Sequence, residues 1–158
     1  MTMVDFNFVT PSTRFQCSRC TRCCSLDVLL SNEEMVRLGD SIDHKWHTTK
    51  KVMDGSNLTC CLLQGNACTI YESRPKLCRV YPFFAIPAAD LERFEIQVPD
   101  AAIRLTGEDG KKYLIIYDDA CPGVGRGGTC NWSELVSLTI SHLSEFDRNK
   151  KRDFYVPL

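Results

Sequence analysis

An α+β fold in one small, irregular domain over residues 1–158, built on a cysteine–metal core with a short antiparallel sheet and a C-terminal helix, follows from three features of the chain. Ten of the 158 residues are cysteine, and four of these crowd into Cys17-Ser-Arg-Cys20-Thr-Arg-Cys23-Cys24. Short alternating runs are separated by glycine turns, most clearly Gly107-Glu-Asp-Gly110 between residues 101–106 and 112–117. One amphipathic segment closes the chain, with Trp132, Leu135, Val136, Thr139, Ile140, Leu143 and Phe146 at helical spacing.

The formal charge of −1 and the even mixture of acidic and basic residues give no field that would draw nucleic acid or an anionic membrane, so neither is expected as a partner. The first residues lack the basic start and apolar run of a secretory signal. No later segment approaches the roughly 18 apolar residues of a membrane span. A cytoplasmic location is expected on those grounds. In that compartment thiols stay reduced, so ten cysteines argue for metal or redox chemistry over a disulfide scaffold.

Taken in order, residues 1–16 mix Val4, Phe6, Phe8 and Val9 with polar neighbours in near alternation, which suits a short strand. After Cys24, residues 26–30 read as extended, and Ser31-Asn-Glu-Glu34 forms a capping box for a short helix that Gly39 would end. His44 and His47 have a zinc-compatible spacing, but a solvated surface pair is the simpler expectation. Residues 58–63 read as a strand carrying Cys60 and Cys61, and Gly65-Asn66 as the turn before Cys68. Pro75 is placed to begin a one-turn helix that delivers Cys78, with a strand over 79–85. The alternation in Leu-Glu-Arg-Phe-Glu-Ile-Gln-Val predicts a half-buried strand over 91–98. The glycines of 121–130 forbid regular structure and favour a tight loop near the metal core. Asn131 and Glu134 then cap the last helix, which is expected to cover the sheet.

A CxxC step turns the backbone so that two sulfurs reach one metal at about 2.3 Å. Two such steps run from Cys17 to Cys23, while the adjacent Cys23 and Cys24 tend to point apart. Structural zinc modules usually pair two knuckles, and a second knuckle is missing here. Consecutive CxxC steps with a cysteine before proline, as at Cys121-Pro122, instead resemble a bacterial ferredoxin run. The CxxxCxxC pattern of radical enzymes is absent, and so is the βαβ context of a thioredoxin-like centre. The Cys121-Pro-Gly-Val-Gly-Arg126-Gly loop offers backbone N–H groups and Arg126 to an anion, but lacks the Lys-Ser/Thr pair of a P-loop; a tight turn is favoured. Arg74 and Arg79 bracket Cys78, where they would steady thiolate charge or pair with carboxylates at the surface.

Three ordered blocks resemble the CxxCxxCC family of zinc- or iron-chelating proteins. They are Cys17-xx-Cys20-xx-Cys23-Cys24; Cys60 with Leu63 and Cys68-Thr-Ile-Tyr71-Glu-x-Arg74-Pro75-xx-Cys78-Arg79-x-Tyr81-Pro82; and Cys121-Pro-Gly-x-Gly-x-Gly. The resemblance implies metal ligation by Cys17, Cys20, Cys23, Cys24, Cys60, Cys68, Cys78 and Cys121, leaving Cys61 and Cys130 outside the set. It implies one or two iron–sulfur clusters, foremost of the 4Fe–4S type, with zinc as the alternative. Electron transfer, cluster handling or modification of a partner protein would follow, with a redox partner or other protein partner. Longer members include flagellin lysine methylases that use S-adenosylmethionine, which makes a lysine methylase-like enzyme a further alternative.

Overall fold

The computed structural model describes residues 6–65 and 67–148, with the backbone alone for Asp54 and residues 145–148. The fold is α+β. In chain order it has α1 (Asn32–Leu38), β1 (Ile42–Asp43), β2 (Thr48–Thr49), β3 (Lys51–Asp54), β4 (Asn57–Cys60), β5 (Leu63–Gln64), β6 (Ala67–Cys68) and α2 (Lys76–Val80). It continues with β7 (Phe83–Pro87), α3 (Ala88–Arg93), β8 (Leu105–Thr106), β9 (Lys112–Tyr117) and α4 (Trp132–Arg148). Strands β1–β2, β3–β4 and β5–β6 are two-stranded antiparallel ladders, and β7–β9–β8 is a three-stranded antiparallel sheet. The described chain forms two compact units. One holds residues 6–18 with Val80–Ile140, the other Arg19–Arg79 with residues 141–148. Among the described residues no helix is long and apolar enough to cross a membrane.

In the first unit β9 is the buried strand, with Tyr113, Leu114 and Ile115 all nearly inaccessible. The expected hairpin forms, and its glycine turn closes with the Gly107 N–H on the Lys111 carbonyl at 2.8 Å. Beyond the end of β8, residues 7–9 pair with the same strand: the Val9 N–H donates to the Ile115 carbonyl at 2.8 Å, and the Tyr117 N–H to the Asn7 carbonyl at 2.9 Å. The N-terminal strand is thus a short bridged segment; Val4 lies outside the described residues. Phe8, Leu91, Ala102 and Leu114 make the core of this unit, and each large aliphatic side chain contributes about 2 kcal/mol on burial. Phe83 gathers Phe15 and Trp132 edge-on at 5.3 and 4.9 Å, so the first turn of α4 covers the sheet.

The strand expected over 91–98 is not there. Ala88-Ala-Asp-Leu-Glu-Arg folds as α3, which ends in a Schellman closure: the Ile96 N–H bonds the Leu91 carbonyl at 2.9 Å and the Glu95 N–H the Glu92 carbonyl at 3.0 Å. Leu91 and Ile96 then pack on one core, while Phe94 is 64% exposed. An alternating sequence therefore arises from a helix end. Glu95 occupies the left-handed position, with φ 55°, that glycine usually takes.

In the second unit residues 26–30 are extended, with the Leu30 N–H on the His47 carbonyl at 2.8 Å. The capping box forms as expected: Ser31 Oγ accepts the Glu34 N–H at 3.3 Å, and Glu34 Oε1 accepts the Ser31 N–H at 3.0 Å. Gly39, with φ 53°, ends α1. Val28, Leu30 and Ile42 form the core, joined by Met35, Leu38, Leu77 and Cys78. Helix α2 begins behind Pro75, with the Arg79 N–H on the Pro75 carbonyl at 3.0 Å; the strand expected over 79–85 starts only at Phe83, because this helical turn claims residues 76–80. Strands β5 and β6 form the hairpin before Cys68, though Asn66 of its turn lies outside the described residues.

Asn131 caps α4 by accepting the Glu134 N–H at 3.1 Å. Trp132, Leu135 and Val136 are buried as expected, but Leu143 is 45% exposed and His142 is buried in its stead. The second unit supplies the reason, since His142 Nδ1 stands 3.9 Å from the buried Glu34 carboxylate. The Phe146 side chain lies outside the described residues.

Two stability predictions follow from the first unit. Replacing Glu95→Gly relieves a left-handed side-chain residue and is expected to stabilise the protein by about 0.5–1 kcal/mol in urea unfolding, after the entropy glycine adds to the unfolded chain. The Tyr113 hydroxyl donates to Asp109 Oδ2 at 2.6 Å, and burial, then this bond, push the phenol up from 10.0 to about 12. The folded phenol keeps its proton longer than the unfolded one, so its contribution is intact below about pH 10 and is lost as pH rises to about 12. Tyr113→Phe is expected to cost about 1 kcal/mol at pH 8 and to lose less stability than the parent across that alkaline window.

Candidate metal centre

The second unit collects its thiols from separate elements. Cys20 lies between Arg19 and Thr21, which are both left-handed at φ 57° and 65°. Cys23 and Cys24 sit on a single 3-10 turn, Arg22–Ser25, closed by the Cys24 N–H on the Thr21 carbonyl at 2.9 Å. Cys60 ends β4, Cys68 ends β6, and α2 carries Cys78. Cys20 is exposed; the other five are partly buried.

Cys23, Cys60 and Cys68 lie close enough to Cys24 and Cys78 for their charges to act on those two thiols. Cys23 is drawn down to about 6, first by a hydrogen bond with the Cys24 thiol and also by the Arg74 charge. Cys24 is pushed well above the thiol range by the same bond, by burial and by the charges of Cys23, Cys60 and Cys68. The hydrogen bond between them thus couples the two thiols, drawing one down and pushing the other up. Burial, then the charges of Cys23, Cys60 and Cys68, push Cys78 up to about 12, with Arg74 opposing. Among the described residues no three His, Cys, Asp or Glu side chains stand at coordinating spacing.

Three side chains shape this surface. Lys51 Nζ donates to the Cys24 carbonyl at 3.2 Å and to the Leu26 carbonyl, fastening the β3–β4 hairpin to the Cys23–Cys24 turn. Glu34 serves two helices, because its second carboxylate oxygen accepts the Lys76 N–H at 2.6 Å at the head of α2. Arg74 stacks on Tyr71, its guanidinium carbon 3.8 Å from the ring centre, and its buried Nε has no hydrogen-bond partner among the described residues. A cation beside thiols, with a donor left over, fits an anionic sulfur centre, and an all-thiol donor set suits zinc or iron–sulfur chemistry.

Cys17 and Cys121 belong to the first unit, where Cys17 is exposed and Cys121 buried. Their segments are laced together: the Gln16 N–H bonds the Gly123 carbonyl at 3.1 Å, the Gly125 N–H bonds the Arg14 carbonyl at 2.8 Å, and Phe15 bridges Val124 and Gly128. A Cβ on Gly123 would lie 2.4 Å from the Gln16 carbonyl oxygen, so glycine is required for this close approach. The N–H groups of Val124, Gly125 and Arg126 all go to carbonyls of the chain, as a tight turn requires. Arg79 and Arg126 are exposed.

Of the remaining candidates, the Cys61 thiol reaches the Ser41 carbonyl at 3.7 Å and is raised by burial and then by Cys60; Cys130 is raised by burial. His44 is exposed, and His47 is lowered by burial and then by the His44 charge, as in a neighbouring surface pair. Sequence reasoning passed over Lys51 and Tyr71 and took Glu34 for a helix cap alone. Lys51 and the Glu34–Lys76 bond leave no local signal, whereas Tyr71 stands within the Cys68–Cys78 block.

The model of the CxxCxxCC family, described as "Putative zinc- or iron-chelating domain", matches residues 16–122. No curated protein and no solved structure matches the chain.

Removing the Glu34 carboxylate strands buried N–H groups at the heads of both α1 and α2. Glu34→Ala is expected to lower stability by about 3 kcal/mol in urea unfolding, with Glu34→Gln losing less because an amide oxygen still accepts. Equal losses in the two variants would argue that the carboxylate's two caps are not what stabilises this region.

Proposed function

The chain therefore belongs to the CxxCxxCC family, and on that premise we propose that its cysteines hold an iron–sulfur cluster of the 4Fe–4S type in a small electron carrier serving a partner protein. One observation carries the reading: Cys23 on the Arg22–Ser25 turn and Cys78 on α2 both lie under the charge of Arg74, the sulfurs of Cys23, Cys60 and Cys68 act on Cys78, and the buried Arg74 Nε–H has no hydrogen-bond partner among the described residues. Sulfur in a cluster accepts such donors, and hydrogen bonds to sulfur are one of the means by which a protein sets cluster potential. Single cysteines arriving from separate elements, in place of a second CxxC knuckle, favour a cluster over structural zinc.

A bound cluster would supply one-electron transfer. The chain's own part is to hold and to balance. Cys23, already drawn toward the thiolate, is primed to bind first, while Cys24 and Cys78 give up their protons only when a cation replaces them. Arg74 offsets the negative charge of the bound thiolates, and Lys51 keeps the Cys23–Cys24 turn against the hairpin that carries Cys60. On the family pattern Cys17, Cys20 and Cys121 are proposed as ligands too.

Protein made and purified without oxygen is expected to be coloured, to contain iron and acid-labile sulfide in equal amounts, and to bleach on reduction. Cys78→Ser is expected to lower its iron content and visible absorbance. Colourless protein with stoichiometric zinc and neither iron nor sulfide would overturn the cluster in favour of a zinc module.

A further inference from the structure

The β3–β4 hairpin carries a proposed ligand at its base and apolar side chains towards its tip. The Cys61 N–H on the Lys50 carbonyl at 2.8 Å sets the phase of the ladder, so Lys51–Cys60 and Met53–Leu58 are its non-hydrogen-bonded pairs. Side chains stand closest together at such pairs, and two pairs separated by a two-residue step project from the same face. One face of the hairpin therefore carries a lysine and Cys60 on one rung and two apolar side chains on the next, about 7 Å along the strands. The first rung is partly buried. On the second, Met53 is 64% and Leu58 57% exposed.

The base of this hairpin is fixed, since Lys51 Nζ donates to the Cys24 and Leu26 carbonyls. Single apolar side chains at a surface are ordinary, but a hairpin that had only to deliver Cys60 could carry polar residues at the outer rung. Methionine beside leucine gives instead a soft, adaptable contact, and methionine is enriched at the core of protein interfaces. The stretch that contains the hairpin is cationic: between residues 44 and 71 the chain holds Lys45, Lys50 and Lys51 against a single acid, Asp54. Lys45 and Lys50 are exposed, and the Lys51 ammonium rests on carbonyl oxygens, which carry no charge to cancel its own. An apolar rung on a cationic stretch is complementary to an apolar patch rimmed by carboxylates.

We propose that the Met53–Leu58 rung is the docking site of an acidic redox protein, which meets the apolar pair with its own apolar patch and the lysines with carboxylates, and so reaches a short path to Cys60. This rests on the cluster reading above and adds to it the partner's chemistry and its point of contact. A contact of this size suits the small interface of an electron-transfer encounter.

The test titrates wild type, reconstituted anaerobically with iron and sulfide, with two probes in a calorimeter: an oxidised flavodoxin, which is acidic, and an oxidised cytochrome c, which is basic. Flavodoxin is expected to bind about tenfold more tightly than cytochrome c, and less tightly as salt is raised. Met53→Asp and Leu58→Asp are each expected to weaken flavodoxin binding about tenfold, as is Lys50→Glu, a charge reversal at an exposed side chain, with iron content and visible spectrum unchanged. Reduced flavodoxin, losing one electron as the cluster gains one, is expected to reduce these variants about tenfold more slowly than wild type. Reduced methyl viologen, too small to need a docking site, is expected to reduce all of them at one rate. Val36→Asp, at an exposed apolar side chain of α1, is expected to behave as wild type. Wild type that takes up no iron and sulfide sinks the cluster reading and the docking site together. Wild type that holds the cluster but binds cytochrome c as well as flavodoxin, or Met53 and Leu58 variants that bind as wild type does, overturns the docking site alone. So does an equal loss in Val36→Asp, a slowing that extends to methyl viologen, or a wild-type dimer in sedimentation that Met53→Asp dissociates, which would put a second copy of this chain on the rung.

Discussion

Thiols brought together in a half-buried region oppose their own ionisation, and the second unit is arranged around that opposition. The bond between Cys23 and Cys24 draws the first down and pushes the second up, and burial with three neighbouring sulfurs pushes Cys78 up. A metal cation removes the conflict at one stroke, since it replaces several protons and repays desolvation with strong bonds to sulfur. Cationic side chains go part of the way. Arg74 lowers the proton affinity of both Cys23 and Cys78, and it does so from a ring stack that leaves its Nε–H without an acceptor among the described residues.

Such a region needs rigid walls, because sulfurs that could drift apart would escape the repulsion without binding anything. Two polar side chains provide them. Lys51 ties the β3–β4 hairpin to the carbonyls at the Cys23–Cys24 turn, and Glu34 holds the heads of α1 and α2 with one carboxylate. The apolar core of Val28, Leu30 and Ile42 receives Cys78 itself, so packing and ligand placement are not separate tasks at that position. A buried carboxylate surrounded by N–H donors and a histidine is costly to remove and is correspondingly specific about how its neighbours are arranged.

Local chemistry was the legible part of the sequence. Ser31 with Glu34, Gly39, Pro75, the 107–110 turn and Asn131 each signal through neighbours a few residues away, and each stands where it was expected. The alternation over 91–98 misled because a helix end with a Schellman closure spaces Leu91, Ile96 and Val98 along the core much as a strand would. His142 in place of Leu143 was illegible for a different reason: its burial depends on Glu34, more than a hundred residues earlier. For the site, residue types and their order could be read, whereas Lys51 on the Cys24 carbonyl and the second role of Glu34 arise from pairings that no spacing rule predicts.

The first unit's sheet carries one further consequence, for the way the chain is made. Residues 7–9 lie against β9, so that ladder cannot close until residues 115–117 have been synthesised. Every thiol from Cys20 to Cys78 has by then left the ribosome, along with the hairpins and the short helix that carry them. Translation thus exposes the thiols from Cys20 to Cys78 to the cell's metal supply before the three-stranded sheet exists, and before the His142 that the second unit receives from α4 has been made.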